Sequence, residues 1–211
     1  VPSKLFQKRK AEAERRAERA KVSRSDQKRI LVVAEGSKTE PNYIAEFIRL
    51  EGLGNISPFL TRDNNTAPTK LLEQARRILL LDKDFDLAFV ISDRDEFPDF
   101  LTAMNAAPHV KCSPNIRFIY SDPCFELWLL FHFEMHDGPI DRHQALKKLQ
   151  THISNYEKGS KDVARMVYND TDKAIENSKI ALSRAIEVGN TCPSTLMHEL
   201  ILTLRACKVA D

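Results

Sequence analysis

DLAFVISDRDE, residues 86–96, decides the fold. Its first seven residues form a near-continuous apolar run, too short for a helix and fenced by charge, which predicts a strand buried on both faces. The run closes on Asp93-Arg94-Asp95-Glu96. Upstream, ILVVA (30–34) has the same character and ends on Glu35-Gly36, a strand leading into a tight turn.

Outward from these two strands the pattern alternates. Thr39 before Glu40-Pro41 predicts a helix N-cap. Tyr43, Ile44, Phe47, Ile48 and Leu50 then recur at helical spacing until Gly52 and Gly54. A weak strand is expected at 56–61, an amphipathic helix at 66–81, a helix at 97–106 and a strand at 115–120. This order predicts an α/β fold, a mostly parallel four-stranded sheet flanked by helices. After Pro123, CFELWLLFHFE (124–134) is apolar almost all round and should be a buried helix. Further helices are expected at 142–151, 160–167, 171–188 and 194–208, either closing the core or forming an interface. The reading divides the chain into a basic arm (1–29), a core (30–135) and a helical C-terminal extension (136–211).

Length and composition are those of one ordinary domain: 211 residues, 42% hydrophobic and 29% charged. No apolar run is long enough to span a membrane. The first apolar-rich run starts at Ile30, so no secretory leader is expected, and the opening Val1 suggests a lost leading residue or tag. Four cysteines stand without metal-ligand spacing, which argues against zinc and for reduced thiols in the cytoplasm. The net charge of +2 is uneven: residues 1–29 carry eleven basic and four acidic side chains, leaving −5 for the rest. Such an arm suits a polyanion such as nucleic acid, or else is simply solvated.

In an open parallel sheet, ligands gather beyond the carboxyl ends of the strands, which is where Glu35, Asp93 and Asp95 fall. Asp93 and Asp95 alternate across one residue, so both can point past the strand end. Converging carboxylates repel one another unless a cation neutralises them, and an all-oxygen set selects Mg²⁺ or Mn²⁺. Glu126, an ionisable group in an apolar helix, is costly to bury unless paired or metal-bound, and is read as an active-site residue. Glu96 reads first as a helix-start residue favoured by the dipole, with a ligand role as the alternative. Glu40 has the same local explanation beside a supporting role at the site. Lys38 and Arg94 are the candidate phosphate contacts. His132 and His136 stand four apart on a helical pattern and could make a metal pair, but satisfied or exposed histidines are the commoner reading; Tyr156, Lys158 and Arg165 are left undecided as a substrate surface.

A strand ending in Glu-Gly and a later one ending in Asp-x-Asp resemble the Toprim domain. That resemblance implies a Rossmann-like fold, with Glu35 as general acid or base and Asp93 and Asp95 holding the metal. The blocks EGSKTEPNYI (35–44), SDRDEF (92–97), DPCFELWLLFHF (122–133) and PSTLMHEL (193–200) resemble RloB-like proteins. This implies a Mg²⁺- or Mn²⁺-dependent nuclease in prokaryotic phage-defence or restriction loci, often beside an ATPase. One or two metals are possible, and Glu126 would help with a second. DNA, RNA and tRNA stay open as substrates, as does a homo-oligomer. The rival is a non-catalytic Toprim-fold subunit that binds nucleic acid or the ATPase. A haloacid-type phosphatase would want its Asp-x-Asp after the first strand, where Glu35 stands. A receiver would want downstream Thr/Ser and Lys strand ends, which are not found.

Overall fold

The computed structural model describes residues 27–35, 38–62, 67–94 and 97–208. Most of the basic arm, together with Asp95 and Glu96, lies outside the described residues. In chain order the elements are β1 (Lys28–Ala34), α1 (Thr39–Leu50), β2 (Ile56–Arg62), α2 (Pro68–Leu81), β3 (Leu87–Asp93) and α3 (Phe100–Ala106). There follow β4 (Ile116–Asp122), α4 (Glu126–Phe131), α5 (Arg142–His152), α6 (Val163–Val167), α7 (Thr171–Glu187), β5 (Ser194–Thr195) and α8 (Met197–Ala206).

The sheet order is β2-β1-β3-β4-β5. The first four strands are parallel, and β5 runs antiparallel to β4. The sheet is thus mixed and five-stranded rather than four-stranded. Residues 194–195, expected to begin the last helix, form β5, and α8 starts only at Met197. A two-residue strand is too short to show alternation. It is held by remote partners instead: the Thr195 hydroxyl lies 2.8 Å from that of Ser121, and the Leu196 N–H donates to the Tyr120 carbonyl at 2.9 Å.

The central strands are apolar over 30–34 and 87–91 because both faces are covered there. Ile30, Val32 and Ala34 of β1, with Phe89 and Ile91 of β3, face a core that includes Tyr43 and Phe47 of α1. The same core takes in Trp128 of α4 and Met197, Leu200 and Leu204 of α8. Leu31, Val33, Ala88 and Val90 face the opposite core, built with Leu71, Leu72 and Leu79 of α2 and Phe100 of α3. Each fully buried Val, Leu, Ile, Phe or Met among them contributes roughly 1.5–3 kcal/mol. The C-terminal helices therefore close the main core. No helix among the described residues is long and apolar enough to cross a membrane.

Candidate functional site

The order β2-β1-β3-β4 reverses direction between β1 and β3: the chain leaves β1 toward β2 and leaves β3 toward β4. Such a reversal opens a crevice at the carboxyl edge. Glu35 and Asp93 stand on either side of it. The Glu35 N–H donates to the Ile91 carbonyl at 3.1 Å, carrying the strand ladder one step beyond β1. Its Oε2 accepts from the Ser92 hydroxyl at 3.0 Å and from the Asp93 N–H at 3.2 Å, which fixes the direction of the carboxylate. These residues, remote in the chain, are thus directly joined.

Arg142 brings positive charge to the same edge, its guanidinium lying 3.7 Å from Asp93 Oδ2. It is the first residue of α5, and its place is set by a capping box. The Gln144 N–H donates to the Asp141 carboxylate at 2.8 Å, while the Asp141 N–H donates to Gln144 Oε1 at 3.0 Å. Sequence reading places the helix but passes over Arg142; the Asp-x-x-Gln signature marks the turn that presents it.

Glu126 opens α4 just past β4 and is 2% exposed. Its Oε1 accepts from the Tyr156 hydroxyl at 3.1 Å and lies 3.6 Å from the Lys158 ammonium. Burial first, then the Glu126 charge, push the Tyr156 hydroxyl far above its ordinary range, so it stays a donor. Of the three residues left undecided in sequence, Tyr156 and Lys158 belong to this site, whereas Arg165 pairs with Glu46 of α1.

The loop carrying Tyr156 and Lys158 is tied to the start of α1. The Gly159 N–H donates to Thr39 Oγ1 at 2.8 Å, and the Asn42 amide donates to the Gly159 carbonyl at 3.3 Å. Thr39 is consequently not the N-cap but the first helical residue, its hydroxyl engaged by the loop. Lys38 takes the cap position without a side-chain cap bond and is exposed there. Gly159 has φ +85°, and a Cβ on it would stand 3.0 Å from Lys38 Cβ, so glycine is strongly favoured there.

Glu40 in the first turn of α1 is only 8% exposed, and its Oε2 is buried with no hydrogen-bond partner among the described residues. Burial, reinforced by the charges of Glu126 and Glu35, pushes its carboxyl up to about 7. This is more than the helix-start role that its sequence position suggests. Arg94 pairs with Asp122 at 2.5 Å and also donates to Thr191, tying β3 to the end of β4 and the segment before β5.

Two other groups are structural. Burial drives the Cys124 thiol far above its usual range, with the Glu126 and Asp93 charges adding to the effect, so no thiolate nucleophile arises there. His132 is fully buried, its ring bonded to the Trp128 carbonyl at 3.0 Å and 3.5 Å from the Tyr43 hydroxyl. Burial lowers its pKa to about 4, which keeps it neutral.

Among the described residues, no three His, Cys, Asp or Glu side chains converge as a preformed metal cage. The chemistry of the edge nonetheless fits a hard divalent cation. Its carboxylates are those of Glu35, Glu40, Asp93 and Glu126, and Glu40 Oε2 is an acceptor that lacks a donor among the described residues.

A family model described as RloB-like protein matches residues 30–204. Comparison with curated proteins and with solved structures yields no match.

Proposed function

The chain belongs to the RloB-like family, and from that premise we propose that it is a metal-dependent nuclease with a Toprim-type core. The observation that carries this reading is the meeting of Glu35 and Asp93 at the strand-order reversal, with Glu40 and Glu126 buried nearby. A pure nucleic-acid binder gains nothing from concentrated negative charge facing phosphate. A cation-dependent phosphodiesterase needs it.

Asp93, with Asp95, would hold Mg²⁺ or Mn²⁺. Bound there, the ion supplies polarisation of a phosphodiester and offsets charge developing on it. Glu35, its carboxylate aimed by Ser92 and the Asp93 N–H, handles the proton of the attacking water or of the leaving oxygen. Glu126 assists from the α4 side. Glu40, held near 7, suits proton exchange at neutral pH. Arg142 and Lys158 offset part of the carboxylate charge that an incoming phosphate meets, and Lys38 and the basic arm add sequence-independent phosphate contacts. DNA, or RNA such as tRNA, is the substrate class, with a partner ATPase and a phage-defence setting following from the family resemblance.

Cleavage of plasmid DNA and total tRNA in Mg²⁺ or Mn²⁺ tests this, with wild type beside Glu35→Ala and Asp93→Ala, with and without a neighbouring ATPase. Metal-dependent cutting that both substitutions abolish is the expected result. No cutting by any form, together with no Mn²⁺ binding, overturns the proposal and leaves the non-catalytic binding subunit.

A further inference from the structure

The arginines of this half of the molecule are engaged differently. Arg94 is taken up by Asp122 at 2.5 Å and by Thr191, and Arg165 by Glu46 of α1. Arg142 instead stands beside Asp93, 3.7 Å from Oδ2, with its side chain 25% exposed and so within reach of a ligand. That separation is an ion pair beyond hydrogen-bond length, so turning the guanidinium toward a ligand sacrifices no hydrogen bond to Asp93. The turn from which Arg142 projects is held from behind, by the Asp141–Gln144 capping box rather than by Asp93. Arg142 is also the first residue of an 11-residue helix, so the positive end of the helix dipole adds to its charge. Asp93 in turn is joined through its N–H to the Glu35 carboxylate.

We infer that Arg142 grips the phosphate of the bound phosphodiester, and that its ion pair with Asp93 makes phosphate and cation binding depend on one another. A guanidinium is a planar fork that can pair with two phosphate oxygens at once, which an ammonium, a point charge, cannot do. Without nucleic acid, Arg142 and a divalent cation compete for the Asp93 carboxylate. With a phosphodiester present, its anionic oxygens lie between two positive charges, and the competition turns into mutual support. Each ligand must then raise the affinity for the other by the same factor. Arg142 takes this role only if the edge is a site for phosphate and cation, as proposed above; the role does not depend on bond cleavage.

Fluorescence anisotropy of a short labelled DNA duplex and of a labelled tRNA tests it on the full chain, in EDTA and in Ca²⁺ at matched ionic strength. Wild type should bind at least one probe about tenfold more tightly in Ca²⁺. Arg142→Gln should weaken binding in Ca²⁺ about tenfold, the scale of one charge-assisted contact, and remove most of the Ca²⁺ enhancement. If the duplex is the bound probe, its salt slope should also fall by about 0.9, one phosphate contact. Arg142→Lys, which keeps the charge without the fork, should restore the salt dependence but not the full affinity. Lys147→Gln, which removes an equal charge from an exposed position on the same helix, should behave as wild type. Mn²⁺ binding without nucleic acid, followed by electron paramagnetic resonance, separates this role from a structural one. Arg142→Gln should hold Mn²⁺ at least as tightly as wild type, whereas loss of a residue that merely props Asp93 would weaken it. The inference is overturned by weaker Mn²⁺ binding in Arg142→Gln, by nucleic-acid affinity matching that of Lys147→Gln, or by a wild type that binds neither probe. Should Arg142→Gln fail to fold, Arg142→Lys decides: unchanged affinity refutes the fork. Weakened probe binding by Arg142→Gln in a chain that never cuts would sustain Arg142 and refute the nuclease. Metal-dependent cutting with probe binding unaltered in Arg142→Gln would do the reverse.

Discussion

Tyr156→Phe removes one hydroxyl and leaves the ring, so it tests what holds Glu126 without opening a cavity. Glu126 is buried, and its Oε1 has the Tyr156 hydroxyl at 3.1 Å and the Lys158 ammonium at 3.6 Å. A hydrogen bond to a charged acceptor contributes about 1.5–3 kcal/mol, and Lys158 is too distant and too exposed to replace it. For a chain of this size the loss corresponds to a fall in Tm of roughly 3–12 °C. Urea unfolding in EDTA measures it, as a double-mutant cycle with Glu126→Gln. In the Glu126→Gln background, where the acceptor is a neutral amide, the hydroxyl should be worth about 1 kcal/mol less than beside the carboxylate. A Tyr156→Phe chain within about 0.5 kcal/mol of wild type would refute the argument, because that is the noise of additivity.

Gly159→Ala should destabilise by about 1–2 kcal/mol, the cost of a left-handed backbone for a residue with a Cβ, with added crowding against Lys38. Gly138→Ala, with no atom within 4 Å of the added Cβ and an ordinary φ, should change the Tm little, and equal effects at both positions would contradict this. His132, its pKa lowered to about 4 by burial, contributes stability that is complete above the unfolded value. That contribution is lost as pH falls from about 6.5 toward 4, because only the unfolded chain takes up the proton. Between about pH 7.5 and pH 4.5 the loss should be about 2 kcal/mol, and it should shrink in His132→Gln; urea unfolding at the two pH values checks this.

The long parallel strands were legible because a strand covered on both faces needs apolar residues at every position, as Ile30–Ala34 and Ala88–Ile91 display. The end of β4 was not. Ser121 and Asp122 read as loop, yet they continue the strand because Thr195, Thr191 and Arg94 satisfy their side chains. None of those partners is near in sequence. The same contrast divides the site. Glu126 stood out as a charge inside an apolar run, and Glu35 and Asp93 stood at strand ends. Arg142, Tyr156 and Lys158 carry no local mark of function; folding brings them to the crevice through a helix cap and a loop tied to α1. Thr39 was misread for a related reason, since the preference of threonine for an N-cap yields when Gly159 offers its hydroxyl a donor.

The anchoring of the Tyr156–Gly159 loop to α1 bears on the order in which the ribosome delivers the chain. A nascent chain extended only through α4 already carries Glu35, Glu40, Asp93 and Glu126, but neither Tyr156 nor Lys158. Its carboxylates are crowded without the groups that steady them, and the Thr39 hydroxyl has lost its partner. The helical half, made last, supplies Arg142, Tyr156 and Lys158 to the acidic edge, so synthesis itself delays the moment at which that edge is complete.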